Sequence, residues 1–344
     1  MPEITREEFS KVYREKFLPI LNALEPERIE ILKKTQPLGI VVLVAVIFIV
    51  IGFISEKVFL ILLGFCVAIP LIIYISILQS KIRAKLKKEI VSKILALFGN
   101  LYFSENKDVI PSSDIKSMGL FPRFATKSDD DIIIGIHQGL NFAIDECSLT
   151  HTERHGKSST TVTDFRGLII KIQMKKNFSG RTIVGMKWEI TKRDGFEEVV
   201  LEDVNFMKNK EVYSTDQIEA RYILTTAFME RLHTLGNAFS QDRMSKQQDV
   251  SAQEQQITRT VDNLIYSDSW IGKLANSFLD SDVGVSAAFM DGYVYLFVPS
   301  YEDFFEVDIN STLYNEAKYY NIYVELQSIL AIIDYLKLDS KLGL

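Results

Sequence analysis

Residues 37–78 read PLGIVVLVAVIFIVIGFI (37–54), SEK (55–57) and VFLILLGFCVAIPLIIYISIL (58–78). Neither apolar run contains a charged residue. Because a helix rises about 1.5 Å per residue, each run is long enough to cross a hydrocarbon core of about 30 Å. Lipid offers the backbone no hydrogen-bonding partner, so both runs should be helical and antiparallel. The sequence therefore predicts a two-span membrane hairpin in preference to a buried helical pair of a soluble protein.

Basic residues flank this hairpin on both sides, whereas its turn holds Lys57 beside Glu56. Lys and Arg close to membrane helices favour the cytoplasmic side. We therefore expect a multi-pass membrane protein with both termini and the C-terminal part in the cytoplasm and the turn outside. The first run is followed at once by a second and has no small-residue cleavage site, which argues against a signal peptide. The basic residues are Arg28, Lys33 and Lys34 before the hairpin, and Lys81, Arg83, Lys85, Lys87, Lys88 and Lys93 after it.

Composition limits the classes of function. The chain has 344 residues, so about two folded units are expected beside the hairpin. Its formal net charge of −6 argues against nucleic-acid binding. The basic residues of 81–93 suit anionic lipid headgroups, which attract each Lys or Arg by about 1 kcal/mol near the surface. Cys66 lies within a span and Cys147 far from it, so we expect no disulfide, as in a reducing compartment.

The apolar periodicity divides the chain further. Phe9, Tyr13 and Phe17 follow a helical spacing, and Thr5 with Glu8 forms a capping box. Pro26 should break this helix. The apolar face either lies in the membrane interface or packs on the rest of the protein, and we favour packing. The predicted segments are N-terminal amphipathic helices (1–36), the hairpin (37–54 and 58–78), a juxtamembrane helix and irregular connector (79–119), an α+β domain (120–236), a polar insert (237–282), and a hairpin and C-terminal helix that complete the domain (283–344).

Beyond residue 120 the spacing of apolar residues indicates strands. His137-Gln138-Gly139 between two runs indicates a β-hairpin, and Asp291-Gly292 between two apolar runs suits a tight hairpin turn. Residues 151–159 read as a polar loop, and Gly167 within a strand suggests a bulge. A helix over 214–235, capped by Ser214 or Thr215, and another over 311–338 should pack on the sheet. The predicted fold class is α+β, a membrane hairpin followed by antiparallel sheet with packed helices.

Several short motifs together resemble a bacterial membrane-protein family catalogued as domain of unknown function 3137. The resemblance implies an inner-membrane protein with a two-span hairpin and a cytoplasmic domain, and it implies no activity. The stretch from Ser214-Thr215-Asp216 to Ala220-Arg221-Tyr222 is the most specific part. The motifs are FRG (165–167), FSGRT (178–182), VYSTD (212–216), EARYILT (219–225), FFE (304–306) and LKLD (336–339).

Three groups of residues are candidates for a site. Cys147, His151 and His155, with Glu153 nearby, are zinc-ligand types, but a polar hairpin loop explains them as well. Asp129, Asp130 and Asp131 offer oxygens to a divalent cation, although a solvated turn is the simpler interpretation. A binding or structural motif is predicted at the start of the 214–235 helix, formed by Tyr213, Ser214, Asp216, Glu219, Arg221 and Tyr222.

No phosphate loop, nucleophile elbow or supported pair of catalytic carboxylates occurs in the sequence. We therefore expect a membrane-tethered binding or scaffold module, without a cofactor, that recruits a cytoplasmic protein or forms a homo-oligomer. The alternative is a metal-dependent hydrolase that uses Cys147, His151 and His155. A channel is disfavoured because the spans carry no charged residue.

Overall fold

The computed structural model describes residues 4–104, 106–156, 158–175, 178–187, 189–191, 195–232, 284–300 and 303–336. The chain divides into two compact units. The first contains Met1–Phe98 and Phe305–Ile322, and the second contains Gly99–Phe304 and Tyr323–Leu344. The predicted polar insert, 237–282, lies outside the described residues.

Long helices build the first unit: α1 (Arg6–Val12), a π-helical turn (Tyr13–Phe17), α2 (Leu18–Ile54), α3 (Val58–Leu95) and a 3₁₀ turn (Ala96–Phe98). Two continuous helical stretches are long and apolar enough to cross a membrane. Most of the exposed large apolar side chains belong to residues 40–77, the surface that lipid would cover. The predicted hairpin is therefore confirmed, as is the capping box of Thr5 and Glu8.

The predicted break at Pro26 is wrong. Helix α2 continues through both Pro26 and Pro37. Each proline removes one backbone hydrogen bond, but both lie on the exposed side of α2. Leu21 and Leu24 before Pro26 and Arg28 after it are buried on the opposite side, so packing keeps the helix continuous.

Small residues bring α2 and α3 together within the hairpin. Ala45, Gly52, Gly64 and Ala68 are all buried, in contrast to the large side chains around them. A Cβ at Gly64 would lie 2.4 Å from Ile49 Cγ1 and 2.8 Å from the Ala45 carbonyl oxygen. Close backbone approach at small residues is the usual way in which membrane helices associate.

We expect Gly64→Leu to destabilise the hairpin by about 1–3 kcal/mol, because no space exists for the added side chain. Gly39→Leu is the matched control, since a Cβ at Gly39 meets nothing within 4 Å. The measurement is unfolding of the full chain in mixed micelles with a rising fraction of denaturing detergent. Equal unfolding of the two variants would show that the α2–α3 contact is not as close as described.

The N-terminal helices bury their aromatic face within the same unit. Phe9, Tyr13 and Phe17 are at most 5% exposed. Phe9 packs edge-on against Tyr320 at 5.2 Å between ring centroids, and Tyr319 stacks on both Tyr13 and Phe17 at 6.1 Å. Of the two interpretations of this face, packing within the protein is confirmed.

The second unit is built on a nine-stranded sheet in which every pairing is antiparallel. The strand order is β1-β2-β3-β4-β9-β8-β5-β7-β6. The predicted α+β class is therefore confirmed. The strands are β1 (Leu101–Phe103), β2 (Thr126–His137), β3 (Leu140–His155), β4 (Ser158–Gln173), β5 (Thr182–Met186), β6 (Glu197–Glu198), β7 (Lys210–Ser214), β8 (Ser286–Met290) and β9 (Tyr293–Pro299).

Two tight turns were predictable from their sequences. Gln138 and Gly139 between β2 and β3 have φ values of 53° and 75°, and Asp291 and Gly292 between β8 and β9 have 53° and 79°. Positive φ at both central residues is the conformation that joins two strands without splaying them. Both predicted hairpins are confirmed.

Helices accompany the sheet, and several differ from the prediction. The connector contains β1 and α4 (Ser112–Met118), so it is not irregular throughout. Helices α5 (Val204–Asn209) and α6 (Gln217–Ile223) follow in order, then α7 over 226–232 and α8 (Glu316–Leu336). The single helix predicted over 214–235 is thus two helices. Leu224 leaves the helical region, and the Thr225 hydroxyl accepts a hydrogen bond from the Phe228 amide to begin α7.

The prediction of a polar loop over 151–159 is also wrong, because β3 and β4 extend into this segment as far as a turn at Gly156. Thr and Val in 160–163 favour extended backbone. The predicted bulge at Gly167 lies instead at Asp164, where the β3–β4 register shifts. Gly167 has φ 147°, and a Cβ there would meet the Val298 carbonyl oxygen at 2.2 Å, so it allows β9 to approach β4 closely.

Candidate functional site

The two central strands β3 and β4 extend beyond their neighbours. Pairing of β2 with β3 ends at Thr126↔Thr150, and pairing of β9 with β4 ends at Gly167↔Pro299. In contrast, β3 and β4 stay paired to His155↔Ser158. The residues 151–166 therefore form a two-stranded projection, which we call the arm. Within the ranges that the structure describes, no strand pairs with 158–165 on the side away from β3.

One hydrogen bond at the base of the arm fixes the direction of its backbone groups. The Thr150 carbonyl oxygen accepts from the Ala125 amide at 2.8 Å, so the peptide groups of Thr150 face β2. Because successive residues of a strand alternate in this direction, His151 faces β4 and its partner Val162 faces β3. It follows that 159, 161 and 163 direct both N–H and C=O towards the open edge.

This open edge lacks the usual protection against pairing with another chain. Residues 158–163 read SSTTVT, without charge or proline, and all but the half-buried Val162 are exposed. Natural sheet edges are commonly protected by charged side chains, proline, bulges or very short strands. The two outer strands of this sheet follow that rule, since β1 has three residues and β6 has two. The edge of the arm is six residues long and neutral.

A cavity of about 250 Å³ lies at the base of the arm. Its apolar wall includes Phe121, Phe165 and Pro299, and its polar groups include His151, Arg123 and Glu189. Phe121, Phe165 and Phe297 pack on one another with ring centroids 5.1 to 5.6 Å apart. The cavity therefore has a rigid aromatic wall beside the last residues of the open edge.

The bulge at Asp164 determines the electrostatics of this cavity. Thr163 pairs with Thr150 and Phe165 with Leu149, which leaves Asp164 unpaired between them. A bulge of this kind redirects a side chain, and the Asp164 carboxylate contacts His151 Nδ1 at 2.6 Å. Glu153 contacts His151 Nε2 at 3.2 Å. The hydrogen bond to Asp164, followed by that to Glu153, raises the pKa of His151.

We expect Asp164→Asn to lower the pKa of His151, because the neutral amide stabilises imidazolium less. A raised histidine pKa means that the charged pair stabilises the fold fully below pH 6.5 and that this contribution is lost as the pH rises through the folded-state pKa. Histidine ring NMR of the full chain in micelles measures the pKa, with His151→Gln to assign the signal. An unchanged pKa in Asp164→Asn would show that the bulge does not hold this pair.

Of the predicted cluster of Cys147, His151 and His155, the two side chains that the structure describes, Cys147 and His151, have different neighbours. All three lie on β3, and His151 belongs to the cavity. Cys147 is 3% exposed, and its burial raises the pKa of the thiol. Its neighbours with metal-ligand atoms are Asp129 and Asp145. The side chain of His155 lies outside the described ones.

The three consecutive aspartates are also divided, by a second bulge on β2. Asp129 pairs with Cys147 and Ile132 with Asp145, so that Asp130 and Asp131 both lie opposite Glu146. Ligand oxygens of Asp130, Asp131 and Glu146 lie within 4.8 Å of one another. This brings together two of the predicted cation ligands with a glutamate that sequence reasoning missed.

The sequence comparison identifies the family. Residues 163–258 and 263–338, half of the chain, match the model of a family described as a protein of unknown function (DUF3137). The chain belongs to the DUF3137 family. A comparison with curated proteins finds no match. Among solved structures, the crystal structure of the mycobacterial trehalose monomycolate transport factor A is similar over 73% of this chain and 96% of that one, at 8% identity and a TM-score of 0.32.

The residues matched to DUF3137 begin at Thr163, the last residue of the neutral edge. They include the motif predicted at the start of α6. Asp216 caps α6 by accepting from the amides of Ile218 and Glu219 at 2.9 and 3.0 Å. The cap is therefore Asp216 and not Ser214 or Thr215.

A second contact joins this motif to the FSGRT motif of the DUF3137 segment. The Glu219 carboxylate accepts from the amides of Ser179 at 2.9 Å and Gly180 at 2.6 Å. A Cβ at Gly180 would lie 2.8 Å from Asp216 Cβ, so the contact needs glycine. The two motifs thus form one structural junction between a loop and a helix.

The other members of the predicted motif have partners in the same unit. Arg221 Nη1 donates to the Val200 carbonyl oxygen at 2.6 Å. The Tyr213 hydroxyl lies 3.3 Å from Glu211, and Ser214 is buried. Tyr222 is 45% exposed, and Ile218 is 84% exposed. These contacts fit a structural role for the motif.

Sequence reasoning missed a buried pair of opposite charges in the DUF3137 segment. Glu189 and Lys210 are 1% and 4% exposed. Glu189 accepts from the Met186 amide at 3.0 Å and from the Ser286 hydroxyl, and Lys210 donates to the Val285 carbonyl oxygen. Burial raises the pKa of Glu189 and lowers that of Lys210 to about 8. These residues lie far apart in sequence and follow no recognisable motif.

Proposed function

We propose that this DUF3137 protein is a membrane-tethered binding module that accepts an extended protein segment along the open edge of β4 in the arm. The single observation that carries the proposal is the neutral, exposed edge at 158–163, with which no strand of the described residues pairs on the side away from β3. Strand addition at such an edge gives affinity through backbone hydrogen bonds, and a neighbouring pocket gives specificity. Here the cavity lined by Val162, Thr163 and Phe165 supplies that pocket.

The proposal includes the placement of the module at the inner membrane, with both termini and the arm in the cytoplasm. It rests on the excess of Lys and Arg at both ends of the hairpin over the single lysine in the turn. A thiol-specific reagent that cannot cross the membrane tests it. We expect labelling of Ser55→Cys from outside the cell and of Lys107→Cys only after permeabilisation, and the reverse result would contradict this topology.

We propose that only the basic residues nearest the apolar run contact anionic lipid headgroups. Lys85 pairs with Glu27 and Lys87 with Glu306 within the first unit. Lys81 begins about 4.5 Å beyond the apolar run along the helix axis and Lys93 about 22 Å beyond it, which exceeds the screening length of about 8 Å. Lys81 and Arg83, both exposed, are therefore the headgroup contacts that we propose.

The alternative, a metal-dependent hydrolase that uses Cys147, His151 and His155, has less physical support. A thiol must lose its proton to bind zinc, whereas burial of Cys147 disfavours the thiolate. His151 already has a carboxylate at each ring nitrogen. We expect the double variant His151→Ala/His155→Ala to leave the bound metal content unchanged, and loss of metal would favour the hydrolase.

The strand-addition proposal is tested by removing a single outward amide. Proline lacks the N–H group and is tolerated at edge positions whose N–H faces solvent, so Thr161→Pro should block strand addition without unfolding the arm. Thr161→Val is the matched control, since it keeps the amide. In-cell crosslinking should give an adduct for the native chain and for Thr161→Val, and at least about tenfold less for Thr161→Pro. Equal adducts in both variants, or none in the native chain, would refute the proposal.

A further inference from the structure

We infer that the segment bound by the arm is the arm of a second copy of this chain, in an antiparallel pair with two-fold symmetry at Thr161. This inference rests on the proposed function and names its partner. Both observations that lead to it belong to the open edge: the symmetric positions of its outward backbone groups and its lack of charge.

The outward residues are symmetric about Thr161. Ser159, Thr161 and Thr163 direct their N–H and C=O to the edge, as shown by the alternation from Thr150. In a two-fold pair centred on Thr161, Thr161 meets Thr161 of the second copy, and Ser159 meets Thr163 in both directions. Each such pair exchanges two backbone hydrogen bonds, so all six outward groups of each copy are satisfied.

The side chains are compatible with the same register. Thr–Thr and Thr–Ser pairs across antiparallel strands are favourable, and no charged residue lies within 158–163. The next residue, Asp164, would lie opposite Ser158 of the second copy, so like charges do not oppose one another. A partner of opposite charge has nothing to recognise along this edge, whereas a second copy brings a neutral strand of the same length.

Membrane tethering helps so short an interface to form. A six-residue strand is about 20 Å long, which is small beside the interfaces that hold independent proteins together. Two chains held in one bilayer meet at a higher effective concentration than two soluble chains. Isologous pairing is also the commonest form of self-association.

Disulfide formation tests the register directly. Opposed residues of a hydrogen-bonded antiparallel pair have Cα atoms about 5.5 Å apart, within the range that a disulfide spans. We therefore expect Thr161→Cys, in a Cys66→Ala background, to form covalent dimers in native membranes under mild oxidation. Cys147 is buried and stays in place. Thr160→Cys is the control, because the two positions would lie about 8 Å apart in this register, beyond disulfide reach.

We expect Thr161→Cys to give at least about ten times more covalent dimer than Thr160→Cys. Equal amounts of dimer from the two variants, or no dimer from either, would overturn the inference. Co-purification of two differently tagged copies is the second measurement. The two tagged copies should still co-purify when both carry Thr161→Val, and they should no longer co-purify when both carry Thr161→Pro. If Thr161→Pro abolishes the in-cell adduct while neither measurement shows a second copy, the strand-addition function stands and its partner is another protein. If the amount of crosslinked adduct in Thr161→Pro equals that in the native chain, both proposals fail.

Discussion

Replacement of Lys127 by methionine should lower the free energy of unfolding of the sheet unit by about 3–5 kcal/mol at a pH well above 7, where Asp145 is ionised, because it leaves a buried carboxylate without its cation. Lys127 is 4% exposed at its side chain and bonds both Asp129 and Asp145, and the Asp145 side chain is 0% exposed. Burial is the main cause that raises the pKa of Asp145 from 3.8 to about 7, and the Lys127 ammonium opposes it.

The upward shift of the Asp145 pKa determines how the stability of the fold changes with pH. A carboxyl group whose pKa is raised on folding holds its proton more tightly in the folded state, so its contribution to stability falls as the pH rises above 3.8. In the native chain this fall ends near pH 7. Without the Lys127 ammonium the pKa of Asp145 rises further, so we expect the stability of Lys127→Met to go on falling at higher pH.

Denaturant unfolding of the full chain in detergent at several pH values measures both effects. Lys107→Met is the matched control, since Lys107 is exposed, and it should change the free energy by less than about 0.5 kcal/mol. Addition of Asp145→Asn to Lys127→Met should recover part of the loss by removing the charge. A loss below about 1 kcal/mol in Lys127→Met would show that the cluster is hydrated and not buried.

The second large effect is expected at Arg28 in the membrane-anchored unit. Arg28 donates to both carboxylate oxygens of Glu25 at 2.9 and 2.6 Å and to the Ile309 carbonyl oxygen at 2.9 Å. Glu25 also accepts from the Leu313 amide at 3.1 Å. Arg28 and Glu25 are 7% and 6% exposed. The Arg28 hydrogen bond is the main cause that lowers the pKa of Glu25.

Arg28→Met should therefore release the returning segment 305–322 from α2. Loss of one partner of a buried ion pair costs about 3–5 kcal/mol, and 1.4 kcal/mol is a factor of about ten. Hydrogen exchange of the backbone amides in 305–322 should become at least about a hundredfold faster. Lys34→Met is the control, because it breaks the exposed pair with Glu30 on the same helix. It should change the exchange rates in 305–322 by less than about threefold. Equal rates in the two variants would contradict this role of Arg28.

Much of the architecture was predictable because it depends on local sequence. The two uncharged runs specify the hairpin, and Gln138-Gly139 and Asp291-Gly292 specify their turns. The arm was not predictable, since hydrophobic alternation is the signal for strands and 151–159 contains none. Its strands form because β3 and β4 are already paired at their apolar parts and their polar continuations extend the same ladder.

The buried charged groups were hidden for a different reason. Lys127 contacts Asp145 from 18 residues away, and Arg28 contacts Ile309 from 281 residues away. No period or spacing in the sequence reports such contacts. The sequence also placed Asp129, Asp130 and Asp131 in one group, whereas the bulge on β2 divides them between two separate clusters of side chains. Register shifts of this kind depend on the pairing strand, which a single segment does not reveal.

The most direct test of the account is hydrogen exchange of the backbone amides of residues 159, 161 and 163, resolved by fragmentation of labelled full-length protein. We predict slow exchange in native membranes, where the edge is paired, and exchange at least about a hundredfold faster in dilute detergent, where it is open. Thr160 and Val162, whose amides face β3, should exchange slowly in both. Equal exchange of the three outward amides in membranes and in dilute detergent would show that the edge is not a binding surface.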